Sequence, residues 1–446
     1  MSSSTDLKDF LQTPSKTFFL LWIPVLFSMI AEPLTGLVDT AFISRLGAES
    51  LAALGVGTVV LSSGLWLFNF LSIGSQTEVS QARGRQDLTT GKSIGSLAIL
   101  LAVIIGLFLT VAALVFAPII TAAMGATDVV HDHAVTYIRI RAFGGPAVLL
   151  SMASFGILYG LADMRSPLLI ALTVNAINIV LDGLLIFGLG PFPVMGIAGA
   201  ALATSISQWI GAILCFYRVH KKMGFTSRVK IGDIRKLLKI GRDMVIRTGA
   251  LIIFLLLATR SATQLGPEAG AAHQAIRQVW MFTSLFLDAS AITAQSLIGY
   301  FFGSGHIGNA KKVARLVCQI SIVIGVGLMV IMLAGSGMIA KALVPLSSLL
   351  LFHPAWVVGA IFQPMAALAF VTDGIHWGTG DFRFLRNVVV LATTIGALGL
   401  LVLEMTGWVD LALIWWVTGV WITIRACFGI MRIWPGILNS PLNTTD

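Results

Sequence analysis

Residues 18–42 read FFLLWIPVLFSMIAEPLTGLVDTAF, an almost unbroken apolar run interrupted by two prolines and two acids. A helix that crosses a bilayer needs roughly 20 mainly apolar residues, so the run is long enough to span. Pro24 and Pro33 each remove a backbone N–H, free a carbonyl one turn earlier and permit a bend. Glu32 and Asp39 stand seven positions apart and so lie nearly on one helical face. An ionisable group held in hydrocarbon is costly and marks function before structure. The stretch therefore predicts a bendable membrane helix that carries acids, a plausible gate built around Pro24, Pro33 and Glu32.

The rest of the chain is written in the same hand. Of 446 residues, 57% are hydrophobic and 11% charged, where soluble domains carry about 25% charged residues. A soluble fold is excluded, because so few charges cannot cover its surface. Twelve stretches qualify as spans, near 18–42, 52–80, 93–117, 134–160, 168–189, 196–218, 243–265, 272–302, 314–340, 354–378, 386–405 and 410–430. Runs this long exclude barrel strands and predict an all-α membrane protein. The net charge of +9 comes from Lys and Arg placed in short stretches between apolar runs, Lys8 and Lys16 among them. That pattern sets both termini on the cytoplasmic side and leaves no basic domain for nucleic acid. The opening MSSSTDLKDF makes a poor leader sequence. Cys215, Cys318 and Cys427 lie far apart and read as buried packing residues. His131 and His133, beside Asp128 and Asp132, read as a solvated loop. The Gly55–Gly57 pair reads as a place of close helix contact.

The basic segment 219–242 falls near the centre and divides two similar halves. LGAESLAA (46–53) matches LGPEAGAA (265–272), and at nearly the same offset Gln76 meets Gln295, Gly84 meets Gly303, Lys92 meets Lys311, Pro146 meets Pro364 and Gly160 meets Gly378. Ordered matches at a near-constant offset indicate duplication. The expected organisation is an N-terminal six-helix lobe (1–218), a basic cytoplasmic linker (219–242) and a C-terminal six-helix lobe with a short tail (243–446). An even number of spans per half makes the repeats parallel, the plan of a transporter. Two fused lobes need no second copy to complete a cleft, so a functional monomer is expected.

The fifth span carries Asn175, Asn178 and Asp182 on one face. With Asp39 nearby, two carboxylates in a dry pocket cannot both stay ionised cheaply: one keeps a proton, or a small cation sits between them. The Asn178 carbonyl and the Thr204 hydroxyl complete an oxygen set able to hold sodium or to hydrogen-bond a protonated acid. Gln76, Gln295, Asp288 and Asp373 are candidates for a substrate cleft, and Arg260 for an ion pair within its lobe or a place near an exit. The chain lacks GxxxxGK[ST], so no nucleotide hydrolysis powers it and no cofactor is implied beyond H+ or Na+ as coupling ion. The chemistry points to a transporter of small organic cationic or amphipathic molecules in a lipid bilayer, and not to an enzyme. A flippase for lipid-linked substrates is the alternative, with Arg139, Arg141, Arg247 and Arg277 as its candidate basic cavity.

Three motifs carry a resemblance. PVLFSMIAEPLTGLVDTAFISRLG (24–47), NAINIVLDGLLIFG (175–188) and GIAGAALAT (196–204) resemble the multidrug and toxic compound extrusion (MATE) family, specifically its DinF-like branch. The resemblance covers the whole chain. It implies a V-shaped exporter of two six-helix lobes in a prokaryotic cytoplasmic (inner) membrane, exchanging drugs or metabolites for inward-moving protons or sodium. It further implies that Asp39, Asn178, Asp182 and Thr204 match the family's coupling residues, and Pro24 its bending proline. Other branches place a glutamate in the seventh span, where this chain has no acid beyond Asp243.

Overall fold

The structure is a computed structural model that describes residue 10 and residues 12–228 and 230–443, Ser63 in its backbone only. Lys8, most of the N-terminal segment read for a leader and the end of the tail lie outside the described residues. Among the described residues every regular element is a helix. Nine helices among the described residues are long and apolar enough to cross a membrane, or eleven when each of two bent pairs is taken as one span. A further long helix, α9 below, occupies the seventh expected stretch. The chain is an integral membrane protein.

The described residues of 23–241 form one compact unit. It holds most of α1 (Pro14–Ile43), then α2 (Ala48–Trp66), α3 (Phe70–Gly84), α4 (Leu88–Ala123), α5 (Asp128–Ala142), α6 (Gly145–Gly160), α7 (Arg165–Phe187) and α8 (Gly196–Lys222). The described residues among 10–22 and 242–443 form the other. It holds the foot of α1, most of α9 (Ile231–Gln264), α10 (Pro267–Gly303), α11 (Ile307–Leu343), α12 (Leu349–Ile361), α13 (Gln363–Thr379), α14 (Phe382–Thr406) and α15 (Leu411–Ile433). The stretch expected as a linker is mostly helical: its start closes α8 and residues 231–242 open α9. Both passages between units run inside a helix, at Trp22/Ile23 in α1 and at Gly241/Arg242 in α9.

The duplication is visible in the packing. α5 and α6 bend by 49° and α12 and α13 by 44°, each at the start of a helix carrying Pro146 or Pro364 in its first turn. Proline has no N–H to extend the preceding helix, so the chain turns there. Gly106 lets α4 approach Pro146, and Gly325 lets α11 approach Pro364. A Cβ on Gly160 would stand 2.8 Å from the Gln76 carbonyl, and one on Gly378 would stand 2.9 Å from the Gln295 carbonyl. Gly47 and Gly266 open α2 and α10 with φ of 110° and 112°, a conformation open to glycine and rarely to other residues. Matched glycines and prolines thus set the helix spacing in both units.

Each unit has its own apolar core. In the C-terminal unit, Phe254 stacks on Trp421 at 4.5 Å, and Trp356 is buried with its Nε1 donating to the Met332 carbonyl at 3.0 Å. In the N-terminal unit, Ile43, Leu54, Tyr137 and Ile186 pack together, and Gly57, but not Gly55, receives the Tyr137 ring closely. Two readings need correction. Asp128, His131, Asp132 and His133 belong to α5 and not to a loop, with His131 Nδ1 3.1 Å from Thr121 Oγ1. Of the cysteines, Cys215 and Cys318 are buried but Cys427 is exposed, since it falls on the outer face of α15.

Candidate functional site

The site is built from α7 outward. Asp163 caps this helix: its Oδ1 accepts from the Ser166 N–H at 3.1 Å and its Oδ2 from the Ser166 hydroxyl at 2.8 Å. Lys222 lies 3.2 Å from the same carboxylate. A bond of this kind satisfies a first-turn N–H that the helix itself leaves without an acceptor. Asn178 and Asp182 are buried, at 1% and 0% exposure.

Each member of the polar stripe has a separate partner. Asn175 donates from Nδ2 to the Ala31 carbonyl of α1 at 2.7 Å. Asn178 donates from Nδ2 to Thr204 Oγ1 of α8 at 3.4 Å, and Thr204 donates in turn to the Ala200 carbonyl at 2.9 Å. Asp182 meets Asp39 of α1 carboxyl to carboxyl, within hydrogen-bonding reach. Two ionised carboxylates have no donor between them, so that contact is a hydrogen bond only while one of them carries a proton. Neither oxygen of Asp182, nor Asp39 Oδ1, nor Asn178 Oδ1 receives a hydrogen bond from another group among the described residues. Four buried acceptor oxygens thus receive no hydrogen bond from another group among the described residues, a set of the kind that suits a proton or a small hard cation.

Arg141, at the end of α5, lies within electrostatic reach of Glu32, Asp39 and Asp182. The sequence reading considered it only for a basic cavity. Its place two residues after Arg139, just before the Gly144–Pro146 break, was the available signal. Glu32 stands on an exposed part of α1, outside the hydrogen-bonded pair. Of the other arginines considered for a basic cavity, Arg139 belongs with Arg141 to the 23–241 unit, while Arg247 and Arg277 belong to the other unit.

The remaining candidates sort by packing. Gln76 and Gln295 are buried at 1% and 0% exposure, at the glycine-mediated helix contacts already described. Asp373 of α13 is clasped by Arg247 of α9 and Arg425 of α15, with Asp288 of α10 within electrostatic reach of all three. Arg260 lies 3.8 Å from Glu404 within its own unit. Outside the spans, Asp87 caps α4 through the Thr90 N–H and also accepts from the Thr89 hydroxyl. These hydrogen bonds to its ionised form hold its carboxyl below the usual carboxylate range.

The profile of the MatE family matches residues 24–184 and 248–402. Protein DETOXIFICATION 44, chloroplastic, of Arabidopsis thaliana is 31% identical over 427 residues, covering 92% of this chain and 80% of that protein. DNA damage-inducible protein F of Escherichia coli (strain K12) is 27% identical over 437 residues, covering 95% and 93%. Among solved structures, a crystal structure of MATE in the bent conformation superposes with a TM-score of 0.89 at 19% identity, covering 99% of both chains.

Proposed function

This chain belongs to the MatE family, the multidrug and toxic compound extrusion transporters, and from that premise we propose that it is a secondary exporter coupled to an ion at the Asp39–Asp182 pair. It is a transporter and not an enzyme. The proposed cargo is a cationic or amphipathic drug or metabolite leaving a prokaryotic cytoplasm across the inner membrane, with both termini inside, in exchange for entering H+ or Na+. A single copy is proposed to suffice.

The observation that carries this reading is the set of four buried oxygens without a donor, from Asp39, Asn178 and Asp182. A proton shared by the two carboxyls satisfies the pair; its loss leaves like charges in a dry place, and α1 then relieves the repulsion by moving. Should the ion be sodium, Asp39, Asp182, Asn178 Oδ1 and Thr204 Oγ1 would hold it, and the ion would supply the positive charge that otherwise comes with the proton. Coupling requires that ion and cargo favour different conformations, so each drives the other off. Pro24 and Pro33 give α1 the freedom to bend between them. Asn175, bonded to the Ala31 carbonyl beside Glu32, ties that movement to α7.

The test is transport of a cationic dye in proteoliposomes under separately imposed proton and sodium gradients. Asp39→Asn removes one carboxylate and is expected to abolish the gradient-dependent part while leaving the protein folded. Unchanged gradient-driven transport in that variant overturns the assignment. The gradient that fails to drive the parent protein identifies the ion that is not used.

A further inference from the structure

The first turns of α9 carry charges that neither the coupling site nor the apolar cores use. This helix has 34 residues, about 51 Å of length, while the hydrocarbon of a bilayer is about 30 Å thick. Its mainly apolar part is 244–258, so the turns before it project beyond the hydrocarbon. Headgroups add about 5–7 Å on each side. Lys239 and Arg235 precede that apolar part by about 8 and 14 Å, and their long side chains reach back to the headgroup layer.

One face of these turns is fastened within the 23–241 unit. Leu237 packs with Ile94 and Leu97 of α4. Leu237 and Ile240 also lie against Gly74 of α3, where a Cβ would stand 3.3 and 3.2 Å from them. Asp233 accepts from the Ser93 hydroxyl at 2.7 Å, and Lys236 pairs with Glu78 at 2.6 Å. The opposite face is exposed. Leu238 is 54% exposed there, with Arg235 and Lys239 beside it, both exposed and outside every ion pair among the described residues. Lys221, Arg228 and Lys230, earlier in the chain, are exposed as well.

The duplication separates what the fold needs from what this face adds. The offset that sets Gln76 on Gln295 sets Lys16, Thr17, Phe19 and Leu20 of α1 on Arg235, Lys236, Leu238 and Lys239 of α9. An exposed apolar residue stands at the same place in both helices, Phe19 in one and Leu238 in the other. The cations do not repeat: α1 has one where α9 has three. A helix of this plan therefore forms without them. An exposed apolar side chain flanked by exposed cations suits a membrane interface, the cations at the level of the phosphates. Such cations favour lipids of net negative charge. A soluble polyanion would engage the cations and leave Leu238 in water, whereas a lipid engages both.

We propose that the Arg235–Leu238–Lys239 face of α9 is a binding site for an anionic phospholipid, with Arg235 and Lys239 on the headgroup phosphate and Leu238 against the apolar part of the same lipid. Lys236 belongs to the fastening and not to the site, because Glu78 already neutralises it. The site stands apart from the Asp39–Asp182 pair and does not depend on which ion is coupled there.

The test is quenching of bimane attached at Leu238→Cys in the full-length protein, with Cys427→Ser to remove the exposed native thiol. The protein is held in phosphatidylcholine nanodiscs that contain small fractions of phosphatidylglycerol or phosphatidylcholine, each carrying a doxyl spin label near the top of one chain. Labelled phosphatidylglycerol is expected to reach half-maximal quenching at about fivefold lower mole fraction than labelled phosphatidylcholine. Salt at about 0.5 M is expected to narrow that difference. Arg235→Gln with Lys239→Gln is expected to abolish it. Lys311→Gln with Lys312→Gln, which removes the same charge at the start of α11, is expected to preserve it. Equal quenching by the two lipids overturns the proposal, and so does an equal loss of preference in both double variants, which makes it an effect of overall charge. Quenching by neither lipid places the face in water, open to a soluble partner, and overturns it too.

Discussion

Asn178 and Asp182 sit one turn apart on α7 and do different work, which decides how substitutions at each should behave. The amide nitrogen of Asn178 is spent on Thr204, leaving its carbonyl free. Thr204→Val keeps the shape and removes the hydroxyl, so Asn178 loses its partner. A stability loss of about 1 kcal/mol is expected by denaturation in detergent, together with weaker ion coupling in the dye assay. At Asp87 the prediction concerns the fold alone. Asp87→Ala should cost about 1 kcal/mol through loss of the α4 cap. Its folded carboxyl stays ionised to a lower pH than in the unfolded chain. The cap therefore contributes fully above about pH 4 and fades as the pH falls toward the depressed folded value, so the parent and variant should converge in acid. The Asn175–Asn178–Asp182 stripe was legible from helical spacing alone. Arg141 was not, because its relation to Glu32, Asp39 and Asp182 arises between α5, α1 and α7 and leaves no periodic trace in the chain. The Arg247–Asp373–Arg425 clasp escaped for the same reason: its members come from three helices.

Among the elements, α1 and α9 each belong partly to both units, and the foot of α1 has its own hydrogen-bonded anchor. Trp22 donates from Nε1 to Ser290 Oγ at 3.0 Å and lies 3.3 Å from the Phe286 carbonyl, both in α10. Two residues later Pro24 interrupts the helix hydrogen bonding. The foot is thereby tied to α10, and the missing Pro24 N–H weakens the helix just beyond it. Trp22→Phe keeps most of the aromatic packing and loses the donor; about 1 kcal/mol of anchoring is expected to go, seen as faster amide exchange in residues 14–24 than in α10. Helix contacts give a second prediction at this scale. A Cβ on Gly156 or Gly374 would collide with the carbonyl of Ser72 or of Ala291. Gly→Ala at either position should destabilise by about 1–3 kcal/mol, a similar amount at both because the contact is repeated. The sequence reading named neither glycine and paired only their neighbours Gly160 and Gly378, one turn further on. It could not announce the bends at Pro146 and Pro364, since an apolar stretch reads as continuous whether or not the helix turns within it. Likewise the polar residues 128–133 read as a loop, because amino-acid type does not reveal a helix that starts before its apolar part.

For the whole molecule, composition and span length decided the class, and the duplicated pattern pointed to two similar halves. The basic residues of 219–242 hid something that composition does not record, namely that most of the stretch continues into helices. The two units do not coincide with the two halves of the chain, because among the described residues 10 and 12–22 pack with 242–443, and 230–241 with 23–228. Cutting the polypeptide near 229 would therefore not yield two self-sufficient pieces. Each fragment would carry off a strip belonging to its counterpart and lack one of its own. Expressed singly, both are expected to be degraded. Coexpressed, they are expected to copurify through a tag on one of them, because each completes what the other is missing, much as halves of a swapped dimer hold together without a covalent join.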